Sequence, residues 1–223
     1  MSERAWPRAA GPPPHSRAYR LTMRIVAGKH AGRHLTSPAK RIRATAENVR
    51  DRWLGRLKDD LEGARVLDLF AGSGALGLEA LSRGAASADF VENAPEALHS
   101  LKANVAALRE KKRTRIFKRD AIIFAEALDE DAYDIAFVDA PYGSRKLDRI
   151  VATWAVCHFA QILSVEHARD HVLPNDRLRG RTRFSGETGV TIFRAAIVEA
   201  LHAGARPQTA SETGTRPQAP SKR

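Results

Sequence analysis

Residues 65–81 read RVLDLFAGSGALGLEAL, an apolar run that breaks on glycines and restarts as a helix-forming segment. No other stretch restricts the possible folds as much. Val66, Leu67 and Leu69 make a short buried strand, with Asp68 set inside its end. Gly72, Gly74 and Gly77 follow in G-x-G-x-x-G spacing. Glycine lets the backbone turn sharply and approach a ligand, and the start of the following helix offers unpaired N–H groups. Strand, glycine loop and helix in this order open a parallel α/β unit.

The same alternation continues downstream. Strands are predicted at 87–92, 114–120, 133–142 and 160–167, and helices at 75–84, 95–110, 121–129 and 145–157. Gly84 ends the first of these helices, and Pro95 sits in the first turn of the second. Residues 181–196 read as a closing hairpin that turns at Gly186–Gly189. This pattern specifies an α/β fold, a mainly parallel seven-stranded sheet with helices on both faces and antiparallel strands at one edge. Ahead of it, 24–35 read as two short strands exposing Lys29, His30, Arg33 and His34, and 43–58 as a helix with Thr45 as its N-cap. The chain thus divides into a disordered tail (1–22), a basic N-terminal extension (23–60), a catalytic domain (61–202) and a second disordered tail (203–223).

Charge separates these segments. The net charge is +11, but 23–60 carries +6 while 61–167 carries −3. A mildly acidic body beside a basic flank suits chemistry performed on a polyanion. Lys29, Arg33, Lys40, Arg41 and Arg43 are the candidate phosphate contacts. REKKRTR (109–115) reads equally well as an RNA-contacting stripe or a solvated helix end. No apolar run is long enough to cross a membrane. The single cysteine, Cys157, rules out an internal disulfide and fits a reduced, cytoplasmic setting. His167 and His171 stand four apart, but no third ligand is marked, so no metal is expected.

Three acids refine the glycine loop. Glu92 ends the second strand about 20 residues after Gly72, where a carboxylate can hold two ribose hydroxyls. Asp120 and the Ala121 N–H follow the third strand, where an adenine edge could be read. Asp68 is poorly placed beside a pyrophosphate but suits a ligand bearing an ammonium and a sulfonium. Each acid alone could be a helix cap, and the glycine pattern alone fits a dinucleotide. Together, Asp68, Glu92 and Asp120 favour a cationic cofactor with one adenosine, S-adenosyl-L-methionine.

The fourth strand ends in Asp139-Ala140-Pro141-Tyr142, on the edge where open α/β sheets bind ligands. An exocyclic amine on a purine or pyrimidine is a poor nucleophile because its lone pair is delocalised. Two acceptors, the Asp139 carboxylate and the Ala140 carbonyl, would draw such a nitrogen toward tetrahedral geometry. Pro141 would fix the turn, and Tyr142 would offer a stacking face to a flipped base.

The string DLFAGSGALGLEALSRGA followed by Asp-x-Pro-Tyr resembles the RsmD-type 16S ribosomal RNA guanine-N2 methyltransferases, class I S-adenosylmethionine enzymes of Rossmann-like fold. The likeness runs from Met23 to about Ala195 and includes MRIVAGKHAGRHL, RATAENVRDRW, VEH and RFSGETGVTIFR. It implies direct in-line methylation of a flipped guanine near position 966 of 16S RNA, on an assembled or partly assembled small subunit, by a monomer. On this resemblance Asp68, Gly72, Gly74, Glu92, Asp120 and Ala121 hold the cofactor, and Asp139, Pro141 and Tyr142 hold the base. Arg43, Thr45 and Arg50 stand on the RNA side. The chain departs from the family where two prolines give way to Ala44 and Ala140, and where Asp51 replaces the common glutamate. Because the family begins near Met23, residues 1–22 read as a lineage-specific extension or a start-site artefact. Three other activities fit the motifs less fully: methylation of adenine N6 or another planar amine in DNA or RNA, nicotinamide-dependent oxidoreduction, and non-catalytic RNA binding or assembly.

Overall fold

A computed structural model describes residues 23–37, 47–174, 178 and 180–195. The predicted tails, Lys40, Arg41, Arg43, Ala44 and Thr45 lie outside the described residues. The chain opens with two short antiparallel strands, β1 (Met23–Arg24) and β2 (His34–Leu35), followed by helices α1 (Glu47–Gly55) and α2 (Lys58–Leu61). Strand and helix then alternate through β3 (Arg65–Leu69), α3 (Ala75–Ser82), β4 (Ser87–Val91), α4 (Pro95–Ala107), β5 (Thr114–Phe117), α5 (Ala121–Glu126), β6 (Tyr133–Val138), α6 (Lys146–Val156) and β7 (Ala160–Ala168). The hairpin β8 (Arg181–Ser185) and β9 (Thr188–Arg194) closes the sheet, whose order is β5-β4-β3-β6-β7-β9-β8. The five strands β3 to β7 pair in parallel, while β9 lies antiparallel to β7 and to β8.

Strand alternation sorts the core onto the two faces of this sheet. Val66, Phe90, Ile135 and Phe137 pack with α3, α4, α1 and the β1–β2 unit. Leu67, Leu69, Val91, Ala136 and Val138 pack with α5 and α6. Met23, Ile25, Leu35, Trp53, Leu54 and Leu57 belong to the first of these clusters, so the N-terminal segment shares its core with the sheet. Trp53 fixes that join: its ring meets Phe137 edge-on at 5.8 Å, and its indole N–H donates to Ser164 Oγ at 2.6 Å.

Several elements stop earlier than the residue pattern predicts. The third strand ends at Phe117 because Arg119 N–H turns back to the Phe117 carbonyl and Asp120 begins a helix. The fourth ends at Val138, leaving Asp139–Tyr142 outside the ladder, where Pro141 has no N–H to contribute. The predicted 43–58 helix ends at Gly55, and α2 follows as a separate turn.

Candidate active site

At the carboxyl ends of β3, β4, β6 and β7 lies a cavity of about 450 Å³. Its lining joins the two motifs singled out above, with Asp68, Gly72 and Glu92 on one side and Asp139, Ala140, Pro141 and Tyr142 on the other. Met23, Phe70, Asn93, Lys146 and Glu166 complete the wall among others.

The two acids beside the glycine loop are held by backbone. Asp68 is 1% exposed and accepts the Gly77 N–H at 3.0 Å, tying the end of β3 to the first turns of α3. Burial drives its carboxyl well above the ordinary range against the opposing pull of that N–H bond, and the nearby charges of Asp139 and Glu92 push the same way. Glu92 Oε2 accepts Gly72 N–H, and Oε1 accepts the N–H groups of Asn93 and Ala94, each at 2.8 Å. One carboxylate therefore sets both the glycine loop and the start of α4, with acceptor capacity to spare. Phe70 adopts a left-handed φ of 61°, a conformation rare outside glycine, at the bend that turns β3 into the loop. Lys146 Nζ sits 5.8 Å from the centre of the Phe70 ring.

The glycines divide their work. Gly72 lines the cavity, whereas Gly74 and Gly77 do not. A Cβ on Gly74 would stand 2.4 Å from Leu101 Cδ1, and one on Gly77 would stand 2.5 Å from the Phe90 ring. These two allow α3 to pack against β4 and α4. Asp120 and Ala121 are also absent from the lining. Asp120 caps α5, its Oδ1 accepting from Ile122 N–H at 2.9 Å and Ile123 N–H at 3.3 Å.

On the opposite wall, Tyr142 O–H donates to Glu166 Oε1 at 2.8 Å, with Thr188 Oγ1 at 3.4 Å. The ring remains 40% exposed, so its face is available while its hydroxyl is tethered to β7 and β9. In the sequence Glu166 stands out only as part of VEH. Its signal is a carboxylate near the end of β7, the strand that pairs with β6 ahead of Tyr142. His167 instead ties β7 to β9, its ring nitrogens meeting Ala168 O and Thr191 Oγ1, and His171 pairs with Asp148.

The expected RNA-facing residues split. Lys29 and Arg33 are exposed on the β1–β2 loop, but Arg50 is fully buried. Its guanidinium lies 3.5 Å from Glu79 Oε2 and donates to the Arg24 carbonyl. Glu79 in turn accepts Val26 and Ala27 N–H groups and pairs with Arg83. Arg50 thus joins α1, α3 and the N-terminal strands, and the expectation that it faces RNA is corrected. A charge this deep is tolerable only with such partners.

Comparison with known proteins agrees with this architecture. Residues 23–194 match the family described as conserved hypothetical protein 95. The chain is 32% identical to the "Putative rRNA methyltransferase YlbH" of Bacillus subtilis (strain 168), over 77% of this chain and 98% of that protein. It is 36% identical to the ribosomal RNA small subunit methyltransferase D of Escherichia coli (strain K12), over 58% of this chain and 65% of that one. The solved "Putative methyltransferase yhhF from Escherichia coli" superposes with a TM-score of 0.67 at 29% identity, covering 78% of this chain and 97% of its own. The chain therefore belongs to the conserved hypothetical protein 95 family, that of the RsmD-type methyltransferases, and carries its class I, Rossmann-like fold.

Proposed function

We propose that this chain is an S-adenosylmethionine-dependent ribosomal RNA methyltransferase that modifies N2 of a guanine in 16S RNA, near position 966. One observation carries the reading: a single cavity joins the acid-lined glycine loop to the Asp139–Tyr142 turn. The donor set fits the cofactor. Asp68, Glu92, Asp139 and Glu166 would repel a pyrophosphate and attract an ammonium and a sulfonium, which favours this cofactor over a dinucleotide. The family relatives named for ribosomal RNA methylation support the substrate class.

When bound, S-adenosylmethionine supplies an electrophilic methyl group, which moves from sulfur to N2 as the S–C bond breaks and leaves a neutral thioether. Asp68 and Glu92 hold the cofactor side. Asp139 and the Ala140 carbonyl accept the N2–H groups and turn the nitrogen lone pair toward the methyl group. The proton released from N2 passes to the Asp139 carboxylate or to water. Tyr142, its hydroxyl held by Glu166, offers its ring to the flipped base. Positioning accounts for most of the rate, without a covalent enzyme intermediate. Gly74 supports this site through loop shape, and Asp120 with Ala121 forms the adenine end beyond the cavity's described wall. We further assign 23–60, with Lys29, Arg33, Arg43 and Thr45, to the RNA side and 61–202 to catalysis, in a cytoplasmic monomer acting on the small subunit or its precursor.

The test is transfer of labelled methyl groups to small-subunit particles, naked 16S RNA and DNA, followed by mass-spectrometric mapping. Label on guanine N2 in 16S RNA is the expected result. Label on an adenine or in DNA would overturn the substrate assignment, and binding of RNA with no transfer would indicate an assembly factor.

A further inference from the structure

We propose that the β1–β2 loop and the turn after α4 form one basic surface that holds RNA phosphates, at the edge of the sheet opposite the cavity. The inference rests on the ribosomal RNA reading above and adds a second point of contact to it.

These segments lie about 80 residues apart in sequence and meet at a buried carboxylate. His30 Nε2 stands 2.5 Å from Glu110 Oε1, and Lys29 Nζ stands 3.5 Å from the same oxygen. Arg113 grips both oxygens of Glu110, at 2.7 and 2.8 Å, and donates to the Ala85 carbonyl. Arg33 donates to the Ala107 carbonyl in the last turn of α4, which fastens the loop a second time. Hydrogen bonding from Arg113 holds the Glu110 carboxyl down at about 2, so it is charged at neutral pH.

The cations outnumber what Glu110 can neutralise. Lys29, Arg33, Arg109, Lys111, Lys112 and Arg113 share this surface, and among the described residues Arg109, Lys111 and Lys112 have no ion-pair partner. Gathering six like charges opposes folding unless an anion relieves it. Arg109 adds a second, independent sign. It holds a left-handed φ of 58° just beyond the end of α4, a position that favours glycine. A strained backbone kept with a long cation on it points to a use for that cation. The competing explanation is that these cations only complement the negative end of the α4 dipole.

RNA fits better than a small anion because the surface is broad and far from the reacting base. The helix α4 starts next to cavity-lining Ala94 and runs 13 residues away from it, about 20 Å. The nucleotide whose base enters the cavity cannot also reach Lys111. The surface would take phosphates of a separate or flanking RNA segment, fixing register without reading bases.

The experiment compares the full chain with an Arg109→Ala/Lys111→Ala/Lys112→Ala variant, measuring binding to a naked 16S RNA fragment across a KCl series. Loss of three phosphate contacts should flatten the log K against log[KCl] slope by about 2 to 3. We expect KM for RNA to rise about tenfold or more while kcat at saturating RNA and S-adenosylhomocysteine affinity hold steady and Tm does not fall. Equal slopes with normal methylation by the parent would overturn this surface alone. A lowered Tm with an unchanged slope would also overturn it, assigning the cations to the helix dipole. A flattened slope in a parent that methylates no RNA would support the surface and refute the methyltransferase reading. Failure of the parent to bind either the fragment or small-subunit particles would overturn both.

Discussion

The two edges of the central sheet carry opposite charge. At the carboxyl edge, Asp68, Glu92, Asp139 and Glu166 line the cavity, with Lys146 as the cation among its described walls. At the other edge, six exposed or half-buried cations share the surface where Lys29, His30 and Arg113 meet the buried Glu110. A protein that must hold both a cationic cofactor and a polyanion cannot use one surface for both. The separation of about 20 Å along α4 exceeds two screening lengths of about 8 Å at physiological salt, so neither field cancels the other. On the acidic edge Asp68 and Glu92 are held by backbone N–H groups, whereas the basic edge is built from long side chains. The first suits a ligand of fixed shape, and the second a flexible chain of phosphates.

The sharpest way to break the acidic side is Asp139→Ala. Methyl transfer should fall by about 10² to 10³, in the range seen when a positioned electrostatic partner is removed. S-adenosylhomocysteine affinity, measured by calorimetry, should change by less than about threefold. Loss of both together would mean that Asp139 holds the pocket rather than the base.

Asp68 tests whether the pocket is tuned to a cation. Its carboxyl titrates above the ordinary range because it is buried, whereas a bound ammonium favours the ionised form. Binding should therefore release a proton, and S-adenosylhomocysteine affinity should climb as pH rises through that elevated pKa. Asp68→Asn should weaken binding about tenfold or more and flatten the pH profile. Calorimetry in buffers of different ionisation enthalpy reads the proton directly.

On the basic side the sign reverses. Glu110 is held at about 2 against an ordinary 4.5. Its contribution to stability is complete above about 4.5 and is lost as pH falls through about 2. Glu110→Gln should cost about 1–3 kcal/mol at pH 7 and remove that part of the acid sensitivity, as followed by denaturant unfolding. Smaller still is Ala140→Pro. Ala140 is buried in the cavity wall, and a proline there would stiffen the turn while keeping its carbonyl. Turnover should stay within about threefold or rise, and its abolition would show that the turn needs the Ala140 N–H or its freedom.

Much of the acidic edge was legible in the residues, because it follows the chain locally. The strand-end positions of Asp68, Glu92 and Asp139 come from periodicity and from glycine and proline punctuation. What stayed hidden depends on which distant side chains meet. Arg50 looks like any exposed cation in RATAENVRDRW, and only the packing of α1 onto α3 reveals Glu79 waiting for it. The tether between Tyr142 and Glu166 needs β7 beside β6, which local pattern does not specify by register. REKKRTR could not be decided alone because its meaning depends on the β1–β2 loop that Glu110 draws to it.

Gly77 touches no ligand-bearing wall, yet its missing atom is what admits the charge. A Cβ there would stand 2.5 Å from Phe90 and 3.3 Å from Asp68 Oδ2. Every possible replacement brings at least that atom, so the position has no conservative substitute. Even alanine should overpack the joint by about 1–3 kcal/mol and disturb the N–H that steadies Asp68. A saturation scan read by stability rather than turnover should thus find lower tolerance at this hydrogen-for-carbon exchange than at Asp139 in front of it.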